Sequence, residues 1–179
     1  MKIFISEIDS KNVHEAGLNL IDISYRTLFP GKSAPRIGIG EKGKPFFVES
    51  DIQFNLSHSG EYAAAAFSRY PVGIDVQLVK KSEERVAKHF FTASEKEYLD
   101  SLDEVKKPFE FTKIWCAKEA YSKLFGIPLF ETISKTETVS KQRLRSKIES
   151  VYIRFIDFDE RYVLAVASEH RIMPELIRV

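Results

Sequence analysis

Between residues 53 and 79 the chain reads QFNLS, YAAAAFS and VGIDVQLV, three short segments parted by Ser59-Gly60 and by Tyr70-Pro71. Runs of this length and residue type, bounded by turn formers, predict strands, and their spacing predicts an antiparallel meander. That commits the middle of the chain to a sheet. The small side chains at 63–66 further predict that a helix packs closely on the central strand.

The flanks extend the pattern. KIFISEI (2–8) predicts a strand, and Val13, Ala16, Leu20 and Ile23 recur at helical spacing until Pro30-Gly31. Residues 31–45, rich in Gly, Pro, Lys and Arg, predict an exposed basic loop. Beyond the charged residues 80–88, Thr92 and Glu95 are spaced as a capping box. The next helix carries Phe111, Ile114, Trp115, Leu124 and Phe125 and is stopped by Gly126 and Pro128. IESVYIRFIDF (148–158) and RYVLAVASE (161–169) alternate with period two and predict a hairpin, and RIMPELIRV adds a candidate edge strand. The order predicts an α+β fold of two pseudo-symmetric lobes, 1–80 and 81–179, packed as one unit around a cleft. No repeat is legible at the residue level.

Composition narrows the function classes. With 44% hydrophobic and 30% charged residues the chain has a globular balance, and a net charge of +1 predicts neither nucleic-acid nor membrane binding. There is no run of about 18 apolar residues to span a bilayer. A single cysteine, Cys116, rules out an internal disulfide and fits a reducing, cytoplasmic setting. It has no local His partner, so it reads as a packing residue.

Four short motifs carry possible chemistry. In GIDVQ (73–77), alternation sends Asp75 and Gln77 to one face, where their oxygens suit a hard cation or simply form a polar outer face. In NLSHSG (55–60), Ser57, His58 and the turn backbone offer either a phosphate-binding surface or an ordinary Ser/Gly turn. GEKGKPFF (40–47) places Lys42 and Lys44 between glycines, without the pattern of a nucleotide P-loop. In WCAKEAYSK (115–123), Glu119 and Lys123 share a helix face with Trp115 one turn earlier, while Lys118 lies about 100° away. On a solvated face such an i,i+4 pair contributes only about 0.2–0.5 kcal/mol.

Their order is more specific than any one of them. Gly43-Lys44-Pro45, Phe54-Asn55 with Ser57-His58-Ser59-Gly60, Gly73-Ile74-Asp75, Phe90-Phe91-Thr92 with Glu95, and Trp115 with Lys118-Glu119 and Lys123 follow one another over residues 36–129. This succession resembles the 4′-phosphopantetheinyl transferases of the surfactin-synthetase-activating type. The resemblance implies Mg²⁺-dependent transfer of phosphopantetheine from coenzyme A to a serine hydroxyl of an apo acyl or peptidyl carrier protein, with release of 3′,5′-ADP. It implies a metal held by Asp75 and Glu119, with Gln77 as a third ligand. Glu119 and Lys123 become the catalytic pair. Lys44, Ser57, His58, Lys118 and Lys123 become the contacts of coenzyme A. A chain long enough to form both sides of the cleft is expected to work as a monomer.

Two departures qualify this. Many relatives have Glu where this chain has Gln77, and the N-terminal lobe is a few tens of residues shorter than in the longer ones. Two rival readings follow: a family member that binds coenzyme A or a carrier without catalysis, and an unrelated metal-dependent nucleotide-binding module. The segment 135–147, with five basic residues against Glu137, is either a solvated loop or a surface that steers an acidic carrier.

Overall fold

The computed structural model describes residues 1–9, 12–80, 84–171 and 173–179. The expected boundary at residue 81 and part of the charged run after residue 80 lie outside them. β1 (Lys2–Glu7) is followed by α1 (Val13–Leu28). β2 (Ile37–Ile39) and β3 (Pro45–Phe47) pair as a small ribbon inside the segment expected to be open loop. β4 (Gln53–Ser59) and β5 (Tyr62–Ser68) form the expected hairpin, and β6 (Gly73–Leu78) comes next. Then come α2 (Glu84–Phe90), α3 (Ala93–Asp100), α4 (Lys107–Phe125) and the single turn α5 (Leu129–Thr132). β7 (Val139–Ser140), β8 (Arg143–Leu144) and β9 (Lys147–Ile148) lead into the hairpin of β10 (Val151–Phe155) and β11 (Tyr162–Ser168), and β12 (Glu175–Arg178) ends the chain.

The strands form two four-stranded sheets, ordered β12-β1-β5-β4 and β6-β11-β10-β9. The expected meander therefore fails at its third strand. β5 already has β4 on one edge and β1 on the other, so β6 crosses to the second sheet and pairs antiparallel with β11. β12 makes the opposite exchange, lying parallel to β1 at the outer edge of the first sheet. Pro174 falls just before it, where a missing N–H removes no ladder bond.

Packing makes this an α+β fold of two small, essentially antiparallel sheets, each covered by helix. Leu20, Ile21 and Tyr25 of α1 bury against Phe4, Ala63 and Ala65 on one face of the first sheet. On its other face Ile3, Ile5, Ala64 and Ala66 meet Ile74, Val76, Leu164 and Val166 of the second. Cys116, Ala117, Ala120 and Leu124 of α4 cover the outer face of that second sheet. The alanines of β5 are thus buried on both sides, by α1 and by the second sheet. α3 begins with the expected capping box between Thr92 and Glu95.

The lobes repeat one another after all. β5 (YAAAAFS) and β11 (YVLAVAS) are buried at all seven positions and lie one hundred residues apart. Their registers also agree: Ile3, Phe4 and Ile5 face Ala66, Ala65 and Ala64, as Ile74, Asp75 and Val76 face Val166, Ala165 and Leu164. Equivalent residues touch each other where the lobes meet. The rings of Tyr62 and Tyr162 are 5.0 Å apart, and Tyr70 stacks on His170 at 3.8 Å. Ser68 and Ser168 each accept the N–H two residues on, at 3.1 and 3.2 Å.

Candidate active site

The site grows from the line where β4, the edge of one sheet, meets β6, the edge of the other. Alternate side chains of β4 point at β6 and accept its free N–H groups. Asn55 Oδ1 takes Ile74 N at 3.0 Å, Ser57 Oγ takes Val76 N at 3.2 Å, and Ser59 Oγ takes Leu78 N at 3.0 Å. Side chains thereby complete an edge that would otherwise be left with buried unpaired donors. Lys44 does the same for two carbonyls, donating to Val72 O at 3.1 Å and to Leu124 O at 2.7 Å. Burial lowers its pKa to about 8.

α4 reaches this line because residue 73 is glycine. A Cβ there would lie 1.9 Å from Ala120 O and 2.6 Å from Leu124 N, both helix backbone. The helix then ends on Gly126, whose φ of 64° is the left-handed value expected of a helix-terminating glycine. Close contact carries Lys123 and Glu119 onto Asp75, which is fully buried. Lys123 Nζ donates to Asp75 Oδ1 at 2.6 Å and to Ser57 Oγ at 2.9 Å, and lies 3.5 Å from Glu119 Oε2. Ser57 Oγ also donates to Asp75 Oδ1 at 2.7 Å, and Gln77 Nε2 donates to Asp75 Oδ2 at 3.0 Å. Trp115 Nε1 holds Glu119 Oε1 at 2.7 Å.

Charge follows from this crowding. Burial and then the neighbouring Asp75 push Glu119 up to about 7, against the pull of Lys123 and the Trp115 hydrogen bond. Burial opposes the charge on Lys123, but Asp75 and Glu119 outweigh it and raise its pKa. A carboxyl poised near neutrality beside a firmly charged amine can exchange protons with a bound hydroxyl.

Cavities flank the cluster at both ends. One, of about 260 Å³, is lined by Lys42, Lys44, Asn55, Lys123 and Gly126 and contains no acidic side chain, which suits an anion. The other, also about 260 Å³, is lined by Gln77, Leu78, Val86, Phe111, Thr112 and Trp115. Glu119 and Lys123 lie between Trp115, which lines the second, and Gly126, which lines the first.

Two of the expected coenzyme contacts are buried and engaged within the protein. Lys118 is fully buried in the C-terminal lobe, with its ammonium on Ile133 O and Thr136 O, each at 2.5 Å, and on Glu95 Oε2 at 2.9 Å. All three donors are used. Burial lowers its pKa although Glu95 and Glu137 pull the other way. Ser57 is buried too, and its hydroxyl is spent on Asp75, Val76 and Lys123. His58, on the same strand, is exposed. Gln77 presents its amide nitrogen to Asp75 and its oxygen to Ser59, and so orients the aspartate.

Asp75 and Glu119 direct oxygens at one position, now held by an ammonium. Two carboxylates completed by phosphate oxygens and water are an ordinary donor set for Mg²⁺, so these residues fit that ion. Among the described residues no third His, Cys, Asp or Glu joins them. Sequence reading had not given Trp115, Asn55 and Ser59 their roles. The i,i+4 spacing of Trp115 and Glu119 and the period-two spacing of Asn55, Ser57 and Ser59 were the available signals. Among the described residues no helix is long and apolar enough to cross a membrane.

A family model described as the 4′-phosphopantetheinyl transferase superfamily matches residues 71–167, which include Asp75, Trp115, Glu119 and Lys123. The chain is 33% identical over 119 residues to 4′-phosphopantetheinyl transferase gsp of Aneurinibacillus migulanus, covering 63% of this chain and 50% of that protein. With 4′-phosphopantetheinyl transferase Sfp of Bacillus subtilis strain 168 it shares 31% identity over 151 residues, 80% of this chain and 67% of the relative. With 4′-phosphopantetheinyl transferase HetI of a Nostoc species it shares 37% over 105 residues, 55% and 43% of the two chains. The chain thus spans about half to two thirds of the length of the first of these relatives.

Proposed function

This chain belongs to the 4′-phosphopantetheinyl transferase superfamily, and from that premise we propose that it transfers the 4′-phosphopantetheine group of coenzyme A to a serine hydroxyl of an apo carrier protein. The serine oxygen forms a bond to the phosphorus that bears the pantetheine. The bond from that phosphorus to the bridging oxygen breaks, and 3′,5′-ADP leaves with the electron pair. The observation that carries the reading is the convergence of Asp75, Glu119 and Lys123 beside a cavity lined by Lys42 and Lys44. Phosphoryl transfer asks a protein chiefly for positioning and for neutralisation of charge.

In this reading Lys42, Lys44 and Lys123 receive the phosphates, with His58 at the exposed side. Asp75 and Glu119 would hold Mg²⁺, which would neutralise charge on the pyrophosphate. Glu119 accepts the serine proton directly or through water. Trp115 fixes the carboxyl that does so. Ser57 and Lys118 act on the fold of the site and not on the coenzyme. The motif order and the likeness to Sfp favour the surfactin-synthetase-activating type. The carrier is of the acyl or peptidyl kind, and the lone buried cysteine suits the cytoplasm.

The test is incubation of the protein with coenzyme A, Mg²⁺ and an apo carrier, followed by mass spectrometry. The carrier should gain one phosphopantetheine at a serine. No gain across acyl and peptidyl carriers would refute the proposal. Asp75 and α4 come from one chain, so the working unit is proposed to be a monomer. A larger species by light scattering, active only when associated, would contradict that.

A further inference from the structure

The reading above asks Lys123 to hold a phosphate, and Asp75 with Glu119 to hold a cation. In the free chain these three groups hold one another. An ammonium has three donors; Lys123 spends two on Asp75 Oδ1 and Ser57 Oγ, at 2.6 and 2.9 Å, and pairs by charge with Glu119 Oε2 at 3.5 Å. Asp75 takes Ser57 and Lys123 on Oδ1 and Gln77 on Oδ2. The carboxylate oxygens that converge on the metal position are turned to the ammonium until the pair separates.

We propose that Lys123 is the resident cation of the metal position in the free protein, and that the phosphates of the coenzyme must draw its ammonium away before a divalent cation enters. The proposal rests on the functional reading above. Its physical basis is an exchange in which each partner keeps an opposite charge. The carboxylates trade an ammonium for a metal ion, and the ammonium trades carboxylates for phosphate.

The cavity beside Lys123 gives the exchange its direction. It is lined by Lys42, Lys44 and Lys123 with no acidic residue, so when empty it holds no opposite charge for the ammonium. A phosphate there reverses the sign. Lys123 is 30% exposed while Asp75 is fully buried, so the lysine is the partner able to move. Gln77 sharpens the effect. As a neutral amide that donates to Asp75, it leaves two carboxylates to share one lysine, with no third charge to attract a metal in competition.

The experiment titrates Mg²⁺ alone into the wild-type protein and into Lys123→Met, by calorimetry and by fluorescence. Trp115 is the sole tryptophan and donates to Glu119, so its emission reports on that carboxylate. Without coenzyme A the variant should bind Mg²⁺ at least tenfold more tightly than wild type. Coenzyme A should then raise the affinity for Mg²⁺ far more in wild type than in the variant. Equal affinities in the absence of coenzyme A would overturn the proposal. Lys123→Gln, which keeps a donor for Asp75, replaces the methionine variant if circular dichroism shows that it does not fold.

A second measurement needs no variant. With ¹⁵N-labelled lysine, coenzyme A added in EDTA should shift the Lys123 ammonium signal, and bound coenzyme that leaves it unmoved would overturn the proposal. Failure of carrier modification with the tenfold difference intact would remove the functional reading and keep the resident cation. Modification with equal Mg²⁺ affinities would do the reverse.

Discussion

Gly73→Ala is the smallest change that should disable the site, because it adds one methyl group at the closest approach of β6 and α4. The new Cβ would sit 1.9 Å from Ala120 O and 2.6 Å from Leu124 N. Both are main-chain atoms inside a helical ladder, so no rotamer change relieves the overlap. Restoring an ordinary contact requires α4 to retreat from β6 by more than about 1 Å, since packed interiors tolerate no such overlap. Overpacking of this kind costs about 1–3 kcal/mol, which for a chain of this size lowers Tm by roughly 2–12 °C. The loss of activity should be larger. Lys123 and Glu119 ride on the helix that moves, and Lys123 now reaches Asp75 across the gap at 2.6 Å. Misplacement of reacting groups by about 1 Å can cost on the order of 10²-fold in rate. The assay is differential scanning calorimetry beside single-turnover carrier modification below the variant's Tm. A Gly73→Ala protein with wild-type rate and Tm would refute the close approach, and with it the geometry of the cluster.

Asp75→Ala and Glu119→Ala should each abolish carrier modification at saturating Mg²⁺ while circular dichroism stays native; activity in either would remove that residue from the site. Lys118→Met should instead act on stability. It strands Glu95 fully buried, a change worth about 3–5 kcal/mol, and the KM for coenzyme A per folded molecule should stay unchanged. Lys44 gives a pH signature. Its folded pKa of about 8 is below the unfolded 10.5, so holding the buried ammonium opposes folding below pH 8 and this is relieved as pH rises toward 10.5. Wild type should therefore gain Tm relative to Lys44→Met between pH 8 and 10.5, and a constant difference would mean that the ammonium is not buried.

Legibility in the sequence followed the range of the interactions. α4 and its end at Gly126 were readable, because a 3.6-residue period and a left-handed stop are local properties. The i,i+4 spacing of Glu119 and Lys123 was readable for the same reason. Lys118 and Lys123 looked alike as charges, yet five residues separate them and α4 sends one to the buried carbonyls of Ile133 and Thr136 and the other to Asp75. The 100° offset of Lys118 from Glu119 was the signal that they part. The sheet to which β6 belongs could not be read locally. It depends on β1, from the start of the chain, taking the free edge of β5. The internal repeat is not legible in the sequence because β5 and β11 share little beyond the terminal Tyr and Ser and one alanine. Burial, rather than identity, is what the two strands repeat.

That repeat bears on why the charged cluster forms at β6 and not at β1. Phe4 and Asp75 occupy equivalent positions, facing Ala65 and Ala165 in matching registers, and both are fully buried. Around Phe4 the covering helix offers Leu20, Ile21 and Tyr25, and a ring is the natural occupant. A carboxylate there would be desolvated without partners, at a cost of several kcal/mol. At Asp75 the environment differs in two respects. α4 supplies Lys123, and the edge of β6 is exposed to β4, whose Ser57 donates to the same oxygen while Asn55 and Ser59 secure the strand on either side. A sheet edge completed by side chains thus delivers a hydroxyl donor, Ser57, to a buried acid. The charged cluster is therefore tied to the line between the lobes, where β6 leaves one hairpin to join the other sheet.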